Sequence, residues 1–141
     1  MSGVKRTRVF LAAPLFSEAE RNFNSLIAES LRQEGYIVWL AQETTLAQEA
    51  GHKDNQKVYE TNISMLKESD VVVAILDGLA VDAGVAYEMG FAKALNKPII
   101  GLRTDLRVFS KIHEINLMLG VPLVKVCRNV DEVIGAIEEM I

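Results

Sequence analysis

The sequence lacks the features that mark disulfide-stabilised, membrane-spanning and nucleic-acid-binding proteins. Its one cysteine, Cys127, excludes an internal disulfide and is consistent with a reducing cytoplasm. The formal net charge of −4 gives no basic field to hold a nucleic-acid polymer, but it leaves room for a single nucleotide. The polar start and the short apolar run that ends at Pro14 predict no signal peptide, and no apolar run approaches the ~18 residues of a membrane span. We therefore expect a cytoplasmic protein.

The common cofactor and metal motifs are also missing. There is no P-loop, no G-x-G-x-x-G and no H-E-x-x-H. The two histidines, His52 and His113, are too far apart to suggest a zinc site. Cys127 falls in an apolar run, which indicates a small core residue rather than a nucleophile. We expect no cofactor and no resident metal.

The pattern that is present is an alternation of apolar strands and helices. Half of the 141 residues are hydrophobic, which suits a single domain over residues 1–141. The predicted strands cover residues 9–13, 36–40, 71–76, 98–102 and 123–126, and the predicted helices cover residues 18–34, 57–68, 83–96, 110–119 and 130–140. This alternation predicts a parallel sheet with helices on both faces, and five strands favour the flavodoxin-like order 2-1-3-4-5.

The predicted topology locates a ligand site before any motif is considered. Ligands bind such sheets at the carboxyl ends of the strands where the strand order reverses. Here that point lies between strands one and three, beside loops 12–17 and 77–84. Ser17 and Glu20 predict a capping box where the first helix begins. The polar segment 42–56 predicts a long loop of the kind that often serves as a lid.

One carboxylate on the helix after strand three lies on an apolar face. At about 100° per residue, the helical neighbours of Glu88 are apolar residues or glycine, which places Glu88 in the middle of an apolar stripe. These neighbours are Val81, Gly84, Val85, Phe91, Ala92 and Leu95. An unpaired carboxylate is rarely buried, because desolvating its charge is costly. Glu88 therefore either reaches solvent or a buried arginine, or faces a pocket at the switch point.

Nearby residues have both functional and structural interpretations. Gly84, one turn before Glu88, gives a ligand room to approach or allows close helix packing. Asp82 is a natural N-cap, and Asp77 before Gly78 suits an ordinary turn. Two or three carboxylates around one cleft also suit chemistry at an anomeric carbon, and an acidic pair suits magnesium. Arg103 and Arg107, after strand four, either line the cleft or are solvated, and we favour solvation.

Three segments resemble the nucleoside 2-deoxyribosyltransferase family. D-G-L-A-V-D-A-G-V-A-Y-E-M-G-F-A, from Asp77 to Ala92, is similar to its signature, and V-F-L-A-A-P-L-F-S, from Val9 to Ser17, is similar to its first strand and loop. Asn116-Leu117-Met118 resembles a segment that reaches a neighbouring subunit's site in that family. The resemblance implies a cytoplasmic enzyme of nucleoside salvage that needs no cofactor.

The resemblance also implies a role for each matching residue. Glu88 would attack C1′ of the sugar and release the base, and a second base or water would resolve the covalent glycosyl-enzyme with retention. Asp82 would hold the sugar hydroxyls. The other substrate-binding positions are Phe10, Pro14, Gln42, Asn62, Asp77, Gly78, Gly84, Asn116 and Met118. Since Asn116 and Met118 would complete a partner's site, the resemblance implies a homodimer or larger homo-oligomer.

Two positions depart from the family pattern. Many members carry a tyrosine that orients the nucleophile, whereas this chain has Phe10, and Tyr87 lies about 100° round the helix from Glu88. An aspartate that handles the leaving base in many members is Asn62 here, and an amide cannot supply a proton. Both departures bear on base specificity and on transferase activity.

Two alternatives stay open. One is hydrolysis of nucleoside 5′-monophosphates, although the related hydrolases carry a Gly-, Ser- and Arg-rich first loop. This chain has A-A-P-L-F-S there, so that only Ser17 and the first amides of the helix could bind an anion. The other is a non-catalytic nucleotide-binding module, because fold alone does not determine function. We prefer the nucleoside interpretation.

Overall fold

The centre of the molecule is a five-stranded parallel sheet with strand order β2-β1-β3-β4-β5. The computed structural model describes residues 5–44, 54–108 and 110–141. The strands are β1 (Arg8–Ala12), β2 (Ile37–Trp39), β3 (Val71–Ile75), β4 (Ile99–Leu102) and β5 (Lys125–Cys127). Every residue of β3 is buried, as expected for a central strand covered on both faces. The predicted flavodoxin-like class and strand order are confirmed.

Helices cover the two faces of the sheet. They are α1 (Glu18–Gln33), α2 (Asn55–Glu68), α3 (Ala83–Ala94), the single turn α4 (Leu117–Gly120) and α5 (Val130–Met140), with a 3-10 turn at Ala41–Glu43. Side chains alternate along each strand, so the sheet separates two apolar cores. One core packs α1 and α5 against Val9 and Leu11, and the other packs α2 and α3 against Phe10 and Ala12. None of the helices in the described ranges is long and apolar enough to cross a membrane.

The first loop is fixed by the predicted capping box, which is confirmed. The Ser17 hydroxyl accepts a hydrogen bond from the Glu20 amide at 3.1 Å, and the Glu20 carboxylate accepts one from the Ser17 amide at 2.8 Å. The same carboxylate oxygen accepts from the Phe16 amide at 3.1 Å. Glu20 therefore occupies the free amides that precede α1.

Two predicted segments need revision. The predicted helix over residues 110–119 is wrong except for the turn α4, because Asn116 has a non-helical ψ of 129° and its side chain starts a new helix by accepting a hydrogen bond from the Met118 amide. The predicted long loop 42–56 is interrupted at both ends, by the 3-10 turn and by the start of α2 at Asn55. Residues 45–53, on which the prediction of a lid depended, lie outside the described residues.

Candidate active site

A cavity of about 370 Å³ lies between the carboxyl end of β1 and helices α2 and α3, at the predicted switch point. Apolar side chains form much of its wall, among them Phe10, Leu11, Leu15, Phe16, Leu40 and Ile63. Its polar side chains are Tyr59, Asn62, Asp82, Tyr87 and Glu88. An apolar cavity with a few convergent polar groups has the character of a small-molecule site.

Glu88 projects from α3 into this cavity and is largely shielded from water. Burial, with a contribution from the negative charge of Asp82, raises the pKa of Glu88 to about 7. Among the described residues, no side chain or backbone group donates a hydrogen bond to its carboxylate. Near neutral pH the group is therefore divided between the acid and a carboxylate that is free to attack or to accept a proton.

The predicted apolar stripe on α3 is displaced from Glu88. The buried residues of the helix are Val85, Met89 and Ala92, so the centre of the stripe lies about 60° round the helix from Glu88. Gly84 and Leu95, expected on the stripe, are exposed because that side of α3 borders solvent and the cavity rather than the sheet. The prediction that Glu88 lies mid-stripe is wrong, and of the two alternatives the pocket-facing one describes its position.

Asp82 caps α3 and borders the cavity at the same time. One oxygen, Oδ2, accepts hydrogen bonds from the amides of Gly84 at 3.0 Å and Val85 at 3.2 Å. The other oxygen has no hydrogen-bond partner among the described residues and can accept from a ligand. A Cβ on Gly84 would lie 3.1 Å from Oδ2, so the glycine gives the cap room. No group of three or more His, Cys, Asp or Glu in the described ranges is placed to hold a metal ion.

Helix α2 contributes Tyr59, Asn62 and Ile63, whose i, i+3, i+4 spacing puts them on one helical face. The Tyr59 and Tyr87 hydroxyls lie 2.6 Å apart, which joins α2 to α3 beside the cavity. This hydrogen bond and burial raise the pKa of Tyr59. Tyr87 is thus engaged with Tyr59 rather than with Glu88. Phe10, which is 1% exposed, contributes only apolar wall.

Three predicted site residues border a separate cavity of about 270 Å³ on the α1 side of the sheet: Pro14, Asp77 and Gly78. The Asp77 carboxylate accepts hydrogen bonds from the Thr104 amide at 2.6 Å, the Thr104 hydroxyl at 2.5 Å and the Asp105 amide at 3.0 Å. Gly78 has a φ of 107°, which suits glycine, and donates to Asp105. Asp77 therefore ties two loops together.

Three further predicted residues lie outside the Glu88 cavity. Gln42 bonds to Asn24, to the Arg21 carbonyl and to the Ser25 hydroxyl, so its amide is occupied within the α1 region. Asn116 caps α4 and borders a third cavity, and the Met118 side chain is 73% exposed. The geometry of the single chain does not bring Gln42, Asn116 or Met118 to Glu88.

The interpretation of Arg103 as a solvated side chain is wrong. Its side chain is 2% exposed and donates to the carbonyls of Leu76 and Gly78, which would otherwise face inward without a donor. Its Nε also lies 3.3 Å from a Glu114 oxygen. Sequence reasoning missed Tyr59 and Phe16 as cavity residues as well. The helical spacing of Tyr59 with Asn62 was the available signal.

The comparison with protein families shows the family to which the chain belongs. The model of the family described as nucleoside 2-deoxyribosyltransferase matches residues 9–131. The chain belongs to this family. A relative of uncharacterised function from Ureaplasma parvum is 32% identical over 126 residues, which cover 79% of this chain and 78% of the relative.

Solved structures of related proteins share the fold of this family member. A conserved protein of Enterococcus faecalis superposes with a TM-score of 0.80 at 26% identity, over 97% of this chain and 100% of that one. The 2-deoxyribosyltransferase of Bacillus psychrosaccharolyticus gives 0.78 at 24% identity, over 90% of both chains. The CMP N-glycosidase of Clostridium botulinum gives 0.60 at 20% identity, over 94% and 99%. These likenesses show a shared fold, and the family match supports chemistry on nucleosides in general terms.

Proposed function

We propose that the chain transfers the sugar of a (deoxy)nucleoside from one base to another through a covalent intermediate on Glu88. The observation that carries this proposal is the position of Glu88. It lies in a largely apolar cavity at the switch point, without a hydrogen-bond donor from the described residues, with a pKa of about 7. A carboxylate that is kept unpaired costs stability, and such groups cluster at functional sites.

The proposed reaction has two displacements at C1′. A Glu88 oxygen bonds to C1′ as the C1′–N bond breaks, and the bonding electrons leave with the base, which takes up a proton from solvent. A nitrogen of the incoming base, or water, then bonds to C1′, loses its proton to solvent and releases the Glu88 carboxylate. Two inversions give net retention. The free oxygen of Asp82 accepts a hydrogen bond from a sugar hydroxyl and so orients C1′.

Two observations favour a nucleoside over its 5′-monophosphate. Among the described residues, the side chains that line the Glu88 cavity include no lysine or arginine, and they include two carboxylates that would repel a phosphate. The amides of Phe16 and Ser17, at the start of α1, already donate to Glu20. The anion site that the loop could offer is therefore taken by the chain's own carboxylate.

We also propose that the enzyme is a homo-oligomer in which Asn116 and Met118 complete a partner's site. The support is the apolar surface around α4, where Leu117 is 50%, Met118 73% and Val121 81% exposed. Clustered exposed apolar side chains of this kind mark interaction surfaces. Light scattering on the active enzyme tests this point, since a fully active monomer would contradict it.

The test of the reaction is an exchange assay with deoxyinosine and either adenine or guanine. Chromatography that shows deoxyadenosine or deoxyguanosine supports the transferase. Free hypoxanthine in the absence of a new nucleoside indicates an N-glycosidase instead. Binding without turnover of nucleosides or monophosphates indicates a non-catalytic module and contradicts the proposal.

A further inference from the structure

The side chain of Trp39, just behind the Glu88 cavity, contacts one of its polar groups. The indole Nε1 lies 3.3 Å from Oδ1 of Asn62. We infer that Trp39 fixes the orientation of the Asn62 amide and so makes the enzyme select bases that carry a carbonyl oxygen, rather than an amino group, at C6 of a purine or C4 of a pyrimidine. The inference rests on the proposed function, because it concerns the base that occupies the same cavity.

The chemistry of the two side chains determines which end of the amide faces Trp39. An indole N–H is a donor only, and the amide nitrogen of asparagine is also a donor only. The amide oxygen must therefore turn toward Trp39, since the opposite orientation would oppose two donors. Asn62 lines the cavity whereas Trp39 does not. The amide nitrogen, which has no hydrogen-bond partner among the described residues, is the end that remains for a ligand.

The sheet holds the indole in place. Trp39 is the last residue of β2 and is paired in register with Phe10, which forms part of the cavity wall. Both side chains pack in the core between the sheet and helices α2 and α3. Trp39 is half-buried in that core, so its N–H is constrained to the direction of Asn62. Trp39 thus acts as a positioning residue that does not itself touch the ligand.

An amide that presents its nitrogen discriminates between two classes of base. Hypoxanthine and guanine carry a carbonyl oxygen at C6, and uracil and thymine carry one at C4. This oxygen accepts a hydrogen bond from the Asn62 nitrogen. Adenine and cytosine carry an exocyclic amino group at the same position. The N–H donors of that group would face the N–H donors of Asn62. A mismatched buried hydrogen bond changes affinity by about tenfold. The Tyr59 and Tyr87 hydroxyls can each donate or accept, so they add little to this choice.

The test is calorimetric titration of free hypoxanthine and free adenine into three proteins: the unmodified enzyme, Trp39→Phe and Asn62→Asp. The unmodified enzyme should bind hypoxanthine about tenfold more tightly than adenine. Trp39→Phe keeps the aromatic packing but frees the amide to turn, so the preference should fall to about twofold or less. Asn62→Asp presents a carboxylate oxygen and should reverse the preference toward adenine. Asn55→Asp adds the same charge to α2 away from the cavity and serves as the matched control.

The outcomes separate this inference from the proposed function. Equal affinity of the unmodified enzyme for both bases, or an unchanged preference in either variant that retains the circular dichroism of the unmodified protein, would overturn the inference. A purely structural role of Trp39 would weaken both bases equally and would also overturn it. If the protein binds hypoxanthine more tightly than adenine but does not exchange bases, the failed exchange contradicts the proposed function. The binding preference would still support this inference. Failure to bind either base would overturn both.

Discussion

Two carboxylates at the carboxyl edge of the sheet, one on each face, differ in the hydrogen bonds that they accept. Asp77, on the α1 side, accepts three hydrogen bonds within 3.0 Å from Thr104 and Asp105. Glu88, on the α3 side, accepts none from the described residues and faces an apolar cavity, where its pKa rises to about 7. The first arrangement stabilises the fold. The second costs stability, and we ascribe that cost to function.

The largest expected effect is on activity and separates the two carboxylates. Glu88→Gln should lower the rate of base exchange by at least about a thousandfold, because an amide cannot form the glycosyl ester. Steady-state kinetics on the exchange reaction measure this. Asp77→Asn is the matched control and should keep most of the rate. A Glu88→Gln enzyme that turned over normally would refute the mechanism.

Glu88→Gln and Asp77→Asn should change the free energy of unfolding in opposite directions. The folded-state pKa of Glu88 is raised, so the folded state loses stability as pH rises from about 4.5 to about 7. Glu88→Gln should remove this loss and gain up to about 3 kcal/mol at pH 8, with little gain at pH 4. Urea denaturation at the two pH values tests this, and an equal effect at both would refute the raised pKa.

Asp77→Asn should lower the free energy of unfolding by about 2 kcal/mol, because an amide nitrogen placed against the Thr104 and Asp105 amides leaves donors facing each other. Chemical denaturation near neutral pH measures the loss. An undiminished stability would show that Asp77 is held by other contacts, and it would return Asp77 to the list of candidate substrate-binding residues.

Asn116→Ala and Met118→Ala test a third region, the surface of α4. If a neighbouring copy uses these side chains, each change should raise KM by several-fold and leave the rate of covalent trapping at saturation nearly unchanged. Val121→Ala removes an equally exposed apolar side chain from the same surface and is the comparison variant. Unchanged KM in both variants would contradict the shared site.

The smallest expected effect is a shift in the pH dependence of activity. Exchange should increase with pH to a plateau with a midpoint near 7, because Glu88 must be ionised to attack. Asp82→Asn removes the charge that adds to the rise in the pKa of Glu88, so the midpoint should move to lower pH by less than about one unit. A midpoint that stays in place in Asp82→Asn would exclude coupling between the two carboxylates.

Much of the fold could be predicted because it depends on local patterns. The continuous apolar run of β3 and the capping box at Ser17 are both sequence signals that act over a few residues. Strand order alone predicted the edge of the sheet at which the Glu88 cavity lies. The predicted helix over 110–119 was wrong before Leu117, because Asn116 has a non-helical ψ of 129° and caps a new helix there, whereas the sequence pattern also fits one continuous helix.

The site itself was only partly predictable. Glu88 and Asp82 were accessible from helical spacing and from family resemblance. The occupied state of Asp77 depends on Thr104, which is 27 residues away, and the orientation of Asn62 depends on Trp39, which is 23 residues away. Contacts of this kind are set by how strands and helices pack in three dimensions, so they become visible only in the structure.

The most direct test of the central claim is mass spectrometry of the intact protein after reaction with a 2-fluoro-substituted nucleoside, which slows release of the sugar. The proposed mechanism predicts a mass increase equal to one fluorinated glycosyl group, mapped by peptide fragmentation to Glu88 and absent from Glu88→Gln. An adduct on a different residue, or base release without any adduct on Glu88, would contradict it.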